Sequence, residues 1–110
     1  MPTTKILFVC SECRLRSPTA AAVFSGFERV EALCAGTNRD CETPVSGDLI
    51  EWADTILVME KTHKNKITKK FNDLLKNKPI KVLNIPDVYD YMDPMLVALL
   101  KARVPKYVRM

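Results

Sequence analysis

Five residues separate Cys10 from Arg16, and Ser17 follows at once: Cys10-Ser-Glu-Cys-Arg-Leu-Arg-Ser17. A loop of that length can curl until its backbone N–H groups converge on one oxyanion. A helix opening near Ser17 would add the positive end of its dipole. Both favour negative charge at the centre of the loop, and hence the thiolate form of Cys10, the species that attacks phosphorus. The planar fork of Arg16 can hold two oxygens of a phosphoryl group and carry the charge of a transition state. Ser17 can donate its hydroxyl to the Cys10 sulfur. The loop residues Ser11, Glu12, Cys13, Arg14 and Leu15 complete a candidate phosphate cradle.

Expelling an alkoxide from phosphorus requires a proton donor. Asp87, Asp90 and Asp93 cluster in one downstream segment, and Tyr89 and Tyr91 beside them could wall a pocket by stacking on an aromatic group. Asp93-Pro94 also reads as a helix N-cap followed by proline in the first turn. The sole histidine, His63, lies near the start of a lysine-rich helix and reads as a surface or capping residue. With one histidine and no ligand cluster beyond Cys10 and Cys13, neither a metal nor another cofactor is expected. Cys10-Ser-Glu-Cys13 is also a Cys-x-x-Cys pattern, which admits a thiol–disulfide redox protein as an alternative.

The elements that must position these residues alternate. Ile6–Val9 is an apolar run suited to a strand buried on both faces. A helix follows from Ser17, with Ala20, Val23, Phe24 and Phe27 at helical spacing. Glu31–Ala35 reads as a second strand closed by Gly36, and Ser46 as the cap of a short helix through Trp52. Thr55–Met59 is the central strand; a longer helix carries Ile67, Phe71, Leu74 and Leu75 on one face. Ile80–Ile85 reads as a fourth strand, and a last helix follows Asp93. This order predicts an α/β fold: a four-stranded parallel sheet flanked by helices on both faces. Ligands then belong at the carboxyl ends of strands, at residues 10–17 and 86–93.

The 110 residues suit a single domain spanning 1–110, and 47% hydrophobic with 27% charged residues suits a packed core. A net charge of +4 (17 Lys+Arg against 13 Asp+Glu) favours anionic substrates, but lacks the concentrated stripe of a nucleic-acid binder. The basic run Lys61–Lys70 reads as a solvated helix face, with a phosphate-rich partner as the alternative. No apolar segment is long enough to span a membrane or form a signal-peptide core, so a cytoplasmic setting and reduced thiols at Cys10, Cys13, Cys34 and Cys41 are expected. A monomer or weak dimer is expected.

Ile6-Leu-Phe-Val-Cys10 with Arg16-Ser-Pro-Thr-Ala-Ala-Ala-Val-Phe24 resembles the signature of low-molecular-weight protein tyrosine phosphatases, in particular a short bacterial-type branch carrying Arg-Leu-Arg-Ser-Pro-Thr at the loop's end. The likeness continues through Cys34-Ala-Gly-Thr37, Ala53–Glu60 with His63, and Ile85–Pro94. It implies a phosphatase I-like fold and hydrolysis of phosphate monoesters, such as phosphotyrosine in proteins or small aryl phosphates, through a phosphocysteine. Carried over, Cys10 is the nucleophile, Arg16 the phosphate-binding arginine and Ser17 the adjacent hydroxyl. Asp87-Val-Tyr89 best matches the register of the family's general acid, which makes Asp87 the expected proton donor and Tyr89 a pocket residue. Two departures stand out: Glu12 and Cys13 replace the family's usual Gly and Asn, the latter holding the loop in a left-handed turn. Cys13 could form a reversible disulfide with Cys10. The loop is also similar to that of thioredoxin-coupled arsenate reductases, with Cys34 and Cys41 as conceivable relay thiols.

Overall fold

A computed structural model describes residues 3–75 and 78–108. The elements run β1 (Thr4–Cys10), α1 (Arg16–Phe24), β2 (Val30–Gly36), α2 (Gly47–Trp52), β3 (Thr55–Val58), α3 (Lys61–Phe71), β4 (Ile80–Val82) and α4 (Pro94–Arg103). The four strands form one sheet in the order β2-β1-β3-β4, and every pairing is parallel. The apolar run of β1 lies at its centre because both of its faces must be covered. Ile6, Phe8 and Cys10 face α1 and α4, packing with Ala20, Phe24, Leu96 and Leu100. Leu7 and Val9 face α2 and α3, packing with Ile50 and Ile67.

Local signals set several boundaries. Ser46 Oγ accepts the Leu49 N–H at 3.3 Å and starts α2. Asp93 Oδ1 accepts the Met95 N–H at 2.8 Å, with Pro94 in the first turn, and starts α4. Pro18 falls in the first turn of α1, where its missing N–H removes no intrahelical bond.

Three expected elements end early. α1 stops at Phe24, so Phe27 lies beyond it, exposed and tilted against the Phe24 ring at 5.1 Å. α3 stops at Phe71 and gives way to a 3-10 turn over Asn72–Leu74; Leu74 is consequently exposed. β4 stops at Val82 rather than Ile85 because Asn84 takes a left-handed backbone (φ 58°), which breaks the extended run. The chain nonetheless stays beside β3: the Leu83 and Ile85 amides donate to the carbonyls of Val58 and Met59 at 2.8 and 2.9 Å.

The strand order reverses between β1 and β3, since β1 connects outward to β2 and β3 outward to β4. The carboxyl ends of β1 and β3 therefore flank a crevice, the usual ligand position in an open parallel sheet.

Candidate active site

Cys10 ends β1 with only 3% of its surface exposed. Its sulfur receives the Cys13 N–H at 3.1 Å and lies 2.9 Å from Ser17 Oγ. With the sulfur as a thiolate, the Ser17 hydroxyl donates. Ser17 is fully buried in the first turn of α1, so the helix fixes where that hydroxyl points.

The loop closes on the sulfur because Cys13 adopts φ 55°, a left-handed conformation unusual for a residue other than glycine. It thus takes the turn for which the resembled family uses asparagine. Behind the loop, Gly36 pairs with Cys10, and the amides of Thr37 and Asn38 donate to the carbonyls of Cys10 and Ser11 at 2.9 Å each. A Cβ at Gly36 would sit 2.6 Å from both the Ser11 carbonyl oxygen and Cys41 Sγ, so only glycine permits this approach. The Glu12 carboxylate accepts from Asn38 Nδ2 at 2.6 Å, which ties it to the segment after β2.

Arg16 is 3% exposed, and its Nη1 donates to Glu60 Oε1 at 2.5 Å and to the Ile85 carbonyl at 2.8 Å. The guanidinium is therefore held from behind by the ends of β3 and β4. Its Nε lies 3.7 Å from Asp87 Oδ1, and among the described residues no hydrogen bond occupies Nη2. A cavity of about 200 Å³ is lined by Cys10, Ser11, Glu12, Arg14, Leu15, Arg16 and Asp87. Cys13 and Ser17 support the sulfur from behind it.

Of the three candidate acids, Asp87 alone lines this cavity. Asp93 is engaged in capping α4, and Asp90 is exposed and outside the lining. Tyr89 does not wall the pocket as expected: it is half-buried against the cluster of Phe8, Met59 and Ile85, because the chain after Ile85 stays close to β3. Tyr91 is exposed and also lies outside the lining.

Reading the residue types alone missed two supports. His63 does cap α3, but it is 2% exposed rather than on the surface. Its Nδ1 accepts the Glu60 N–H at 3.0 Å, so the ring is neutral with its proton on Nε2, which donates to Ser11 Oγ at 3.0 Å. Burial, with the Arg16 charge behind it, pushes this histidine down to about 4. Glu60, the anchor of Arg16, carried a signal that could have been used: a carboxylate two positions after the end of the strand beside β1.

The remaining thiols also gather round the loop. Cys34 lies on the β1 face that holds Phe8 and Cys10, opposite Phe8 in register. A hydrogen bond from Cys13 lowers the Cys34 thiol, and that same bond, with burial, raises Cys13. Burial raises Cys41. Among the described residues no group of three or more His, Cys, Asp or Glu is arranged to hold a metal ion.

No protein-family model matches the chain, and no curated protein sequence does. Solved structures do match. An arginine phosphatase, YwlE, from Geobacillus stearothermophilus superimposes with a TM-score of 0.72 at 23% identity, covering 94% of this chain and 91% of that one. The tyrosine phosphatase Wzb from Escherichia coli K30, in complex with phosphate, gives 0.74 at 19% identity, covering 96% of each chain. SP-PTP, a low-molecular-weight protein tyrosine phosphatase from Streptococcus pyogenes, gives 0.77 at 13% identity, covering 96% and 94%. The fold is thus that of the low-molecular-weight protein tyrosine phosphatases, and the resemblance read in the sequence is matched by the architecture.

Proposed function

We propose that this protein hydrolyses phosphate monoesters, phosphotyrosine in proteins above all, through a phosphocysteine on Cys10. The observation that carries the reading is the arrangement around one cavity. The Cys10 sulfur is cradled by the Cys13 amide and the Ser17 hydroxyl, Arg16 is clamped from behind, and Asp87 stands at the mouth.

The Nε–Nη2 edge of Arg16 and the loop amides bind the phosphoryl oxygens, and the Arg16 charge stabilises those oxygens as the P–O bond breaks. The Cys10 thiolate attacks phosphorus while protonated Asp87 gives its proton to the departing phenolate oxygen. Water then attacks the phosphocysteine and yields a proton to the Asp87 carboxylate. The S–P bond breaks, and the Ser17 hydroxyl stabilises the thiolate that leaves. No step calls for a metal ion. Exposure of Asp87 suits it to exchange protons with solvent between the two steps.

The test is hydrolysis of p-nitrophenyl phosphate by wild type and Cys10→Ser, each with and without a chelator. Wild-type turnover that resists chelation and vanishes in Cys10→Ser is expected; equal rates in the two proteins would overturn the reading.

A second reading, reduction of arsenate through a thiol relay, draws on Cys34, on the strand beside β1, and Cys41, whose sulfur lies against Gly36 behind the loop. Arsenate turnover with thioredoxin, lost in Cys34→Ser while aryl phosphate hydrolysis is absent, would favour it.

A further inference from the structure

Next to the catalytic loop, on the α3 side of the sheet, lies a second and smaller cavity of about 50 Å³. Thr37, Val45 and Phe71 are among the residues that line it, and Arg39, Lys66 and Lys70 stand around it. Among the described residues none of these three cations has a carboxylate within ion-pair distance, since the ion pairs formed there involve Arg16. Lys66 and Lys70 occupy positions i and i+4 of α3, where like charges destabilise a helix by a few tenths of a kcal/mol. The Lys70 ammonium lies 5.4 Å from the centre of the Phe71 ring, which holds its charge against the apolar wall. The Thr37 hydroxyl is buried and has no hydrogen-bond partner among the described residues. Buried polar atoms rarely remain unpaired. Three cations without carboxylate partners around one apolar dimple make it complementary to an oxyanion.

The site is linked to the catalytic loop at both ends. The Thr37 amide donates to the Cys10 carbonyl, and His63, which touches Ser11, lies on the same helix as Lys66 and Lys70. At a rise of about 1.5 Å per residue, Lys66 lies about 4.5 Å and Lys70 about 10 Å beyond His63 along the helix axis. An extended polypeptide advances about 3.3 Å per residue. These spans correspond to about one to three residues of extended chain, so a carboxylate that close in sequence to a phosphorylated residue held beside Ser11 is within reach.

We propose that this cavity is a substrate subsite that takes the carboxylate of an acidic residue flanking the phosphorylated residue of a protein. The apolar walls accept the methylene groups of an aspartate or glutamate, and the three cations accept its charge. The inference rests on the phosphatase reading and deepens it by naming the sequence context that the enzyme selects. Free phosphate shares this chemistry and is the competing occupant.

The experiment compares kcat/KM for p-nitrophenyl phosphate, a phosphotyrosine peptide with flanking glutamates and the same peptide with those glutamates changed to glutamine, in wild type and Lys66→Gln/Lys70→Gln. Wild type should prefer the acidic peptide by about fivefold to tenfold, and the double variant should lose that preference while p-nitrophenyl phosphate turnover stays unchanged. No preference in wild type, or a preference that survives the double substitution, overturns the subsite. Absence of p-nitrophenyl phosphate turnover in wild type overturns the phosphatase reading instead; binding of the unphosphorylated acidic peptide, followed by shifts of the Thr37 and Lys66 amides in NMR spectra, then tests the subsite alone. If inorganic phosphate shifts those amides in Cys10→Ser and the acidic peptide does not, the occupant is the free ion and the peptide assignment falls.

Discussion

Ser11, on the loop after β1, and His63, in the first turn of α3, meet in a hydrogen bond of 3.0 Å across 52 positions of sequence. The Glu60 amide occupies the other ring nitrogen, so the imidazole can serve Ser11 only as a neutral donor. Protonation would set two N–H groups against each other at Nδ1 and break the cap of α3. Glu60 also grips Arg16, so one turn of helix orients both the loop and its arginine.

This histidine makes stability fall with acid. Its folded value is about 4 against the ordinary 6.5, lowered by burial first and by Arg16 second. The unfolded chain therefore takes up the proton first. The contribution is complete above about 6.5 and is lost progressively as pH falls towards 4, to a total of about 3 kcal/mol. Urea unfolding of wild type and His63→Gln between pH 7 and 4 checks this: the gap between the two should narrow over that window. A gap that is constant with pH sinks the assignment.

Cys13 stands where the backbone turns left-handed, at φ 55°. Asparagine tolerates this conformation better than cysteine, and β-branched residues tolerate it worse. Cys13→Asn should therefore raise stability by about 0.5–1 kcal/mol and retain the amide bond to Cys10, whereas Cys13→Val should lower it. Thermal melting of the pair reads the sign directly.

Asp87→Asn should lower kcat on aryl phosphates by about 10²–10³. Inhibition by inorganic phosphate should be unchanged or stronger, because the substitution removes a negative charge 3.7 Å from Arg16 Nε. The loss should grow as the leaving group becomes more basic. Full activity in the variant would move the proton donor elsewhere, with Asp90 the next to try.

Among Cys13, Cys34 and Cys41, Cys34 should be alkylated at the lowest pH. Its hydrogen bond from Cys13 favours the thiolate, whereas that same bond raises Cys13 and burial raises Cys41. Mass spectrometry after brief iodoacetamide treatment across pH 6–9 measures the order; earlier labelling of Cys41 contradicts it.

Much of this was legible in the chain because the relevant signals are local. The apolar run of β1, the caps at Ser46 and Asp93, and the Cys10–Arg16–Ser17 spacing each depend on neighbours within a few residues. What stayed hidden depends on sheet order. Arg16 finds Glu60 across 44 positions and the Ile85 carbonyl across 69, and no local pattern announces such partners. The clustering of Cys13 with Cys34 likewise follows from the pairing of β1 with β2. Phe27 and Leu74 were misplaced for a related reason: helical spacing marks which residues share a face but not where the helix stops.

At Gly36 a Cβ would come within 2.6 Å of the Ser11 carbonyl oxygen beneath the loop. A single methyl group there would lift Ser11, and with it the whole curl of amides, without touching the substrate or removing a charge. Inactivation by so small a change, in a protein that still folds, would mark the position as a spacer: its contribution to catalysis is the volume it leaves empty.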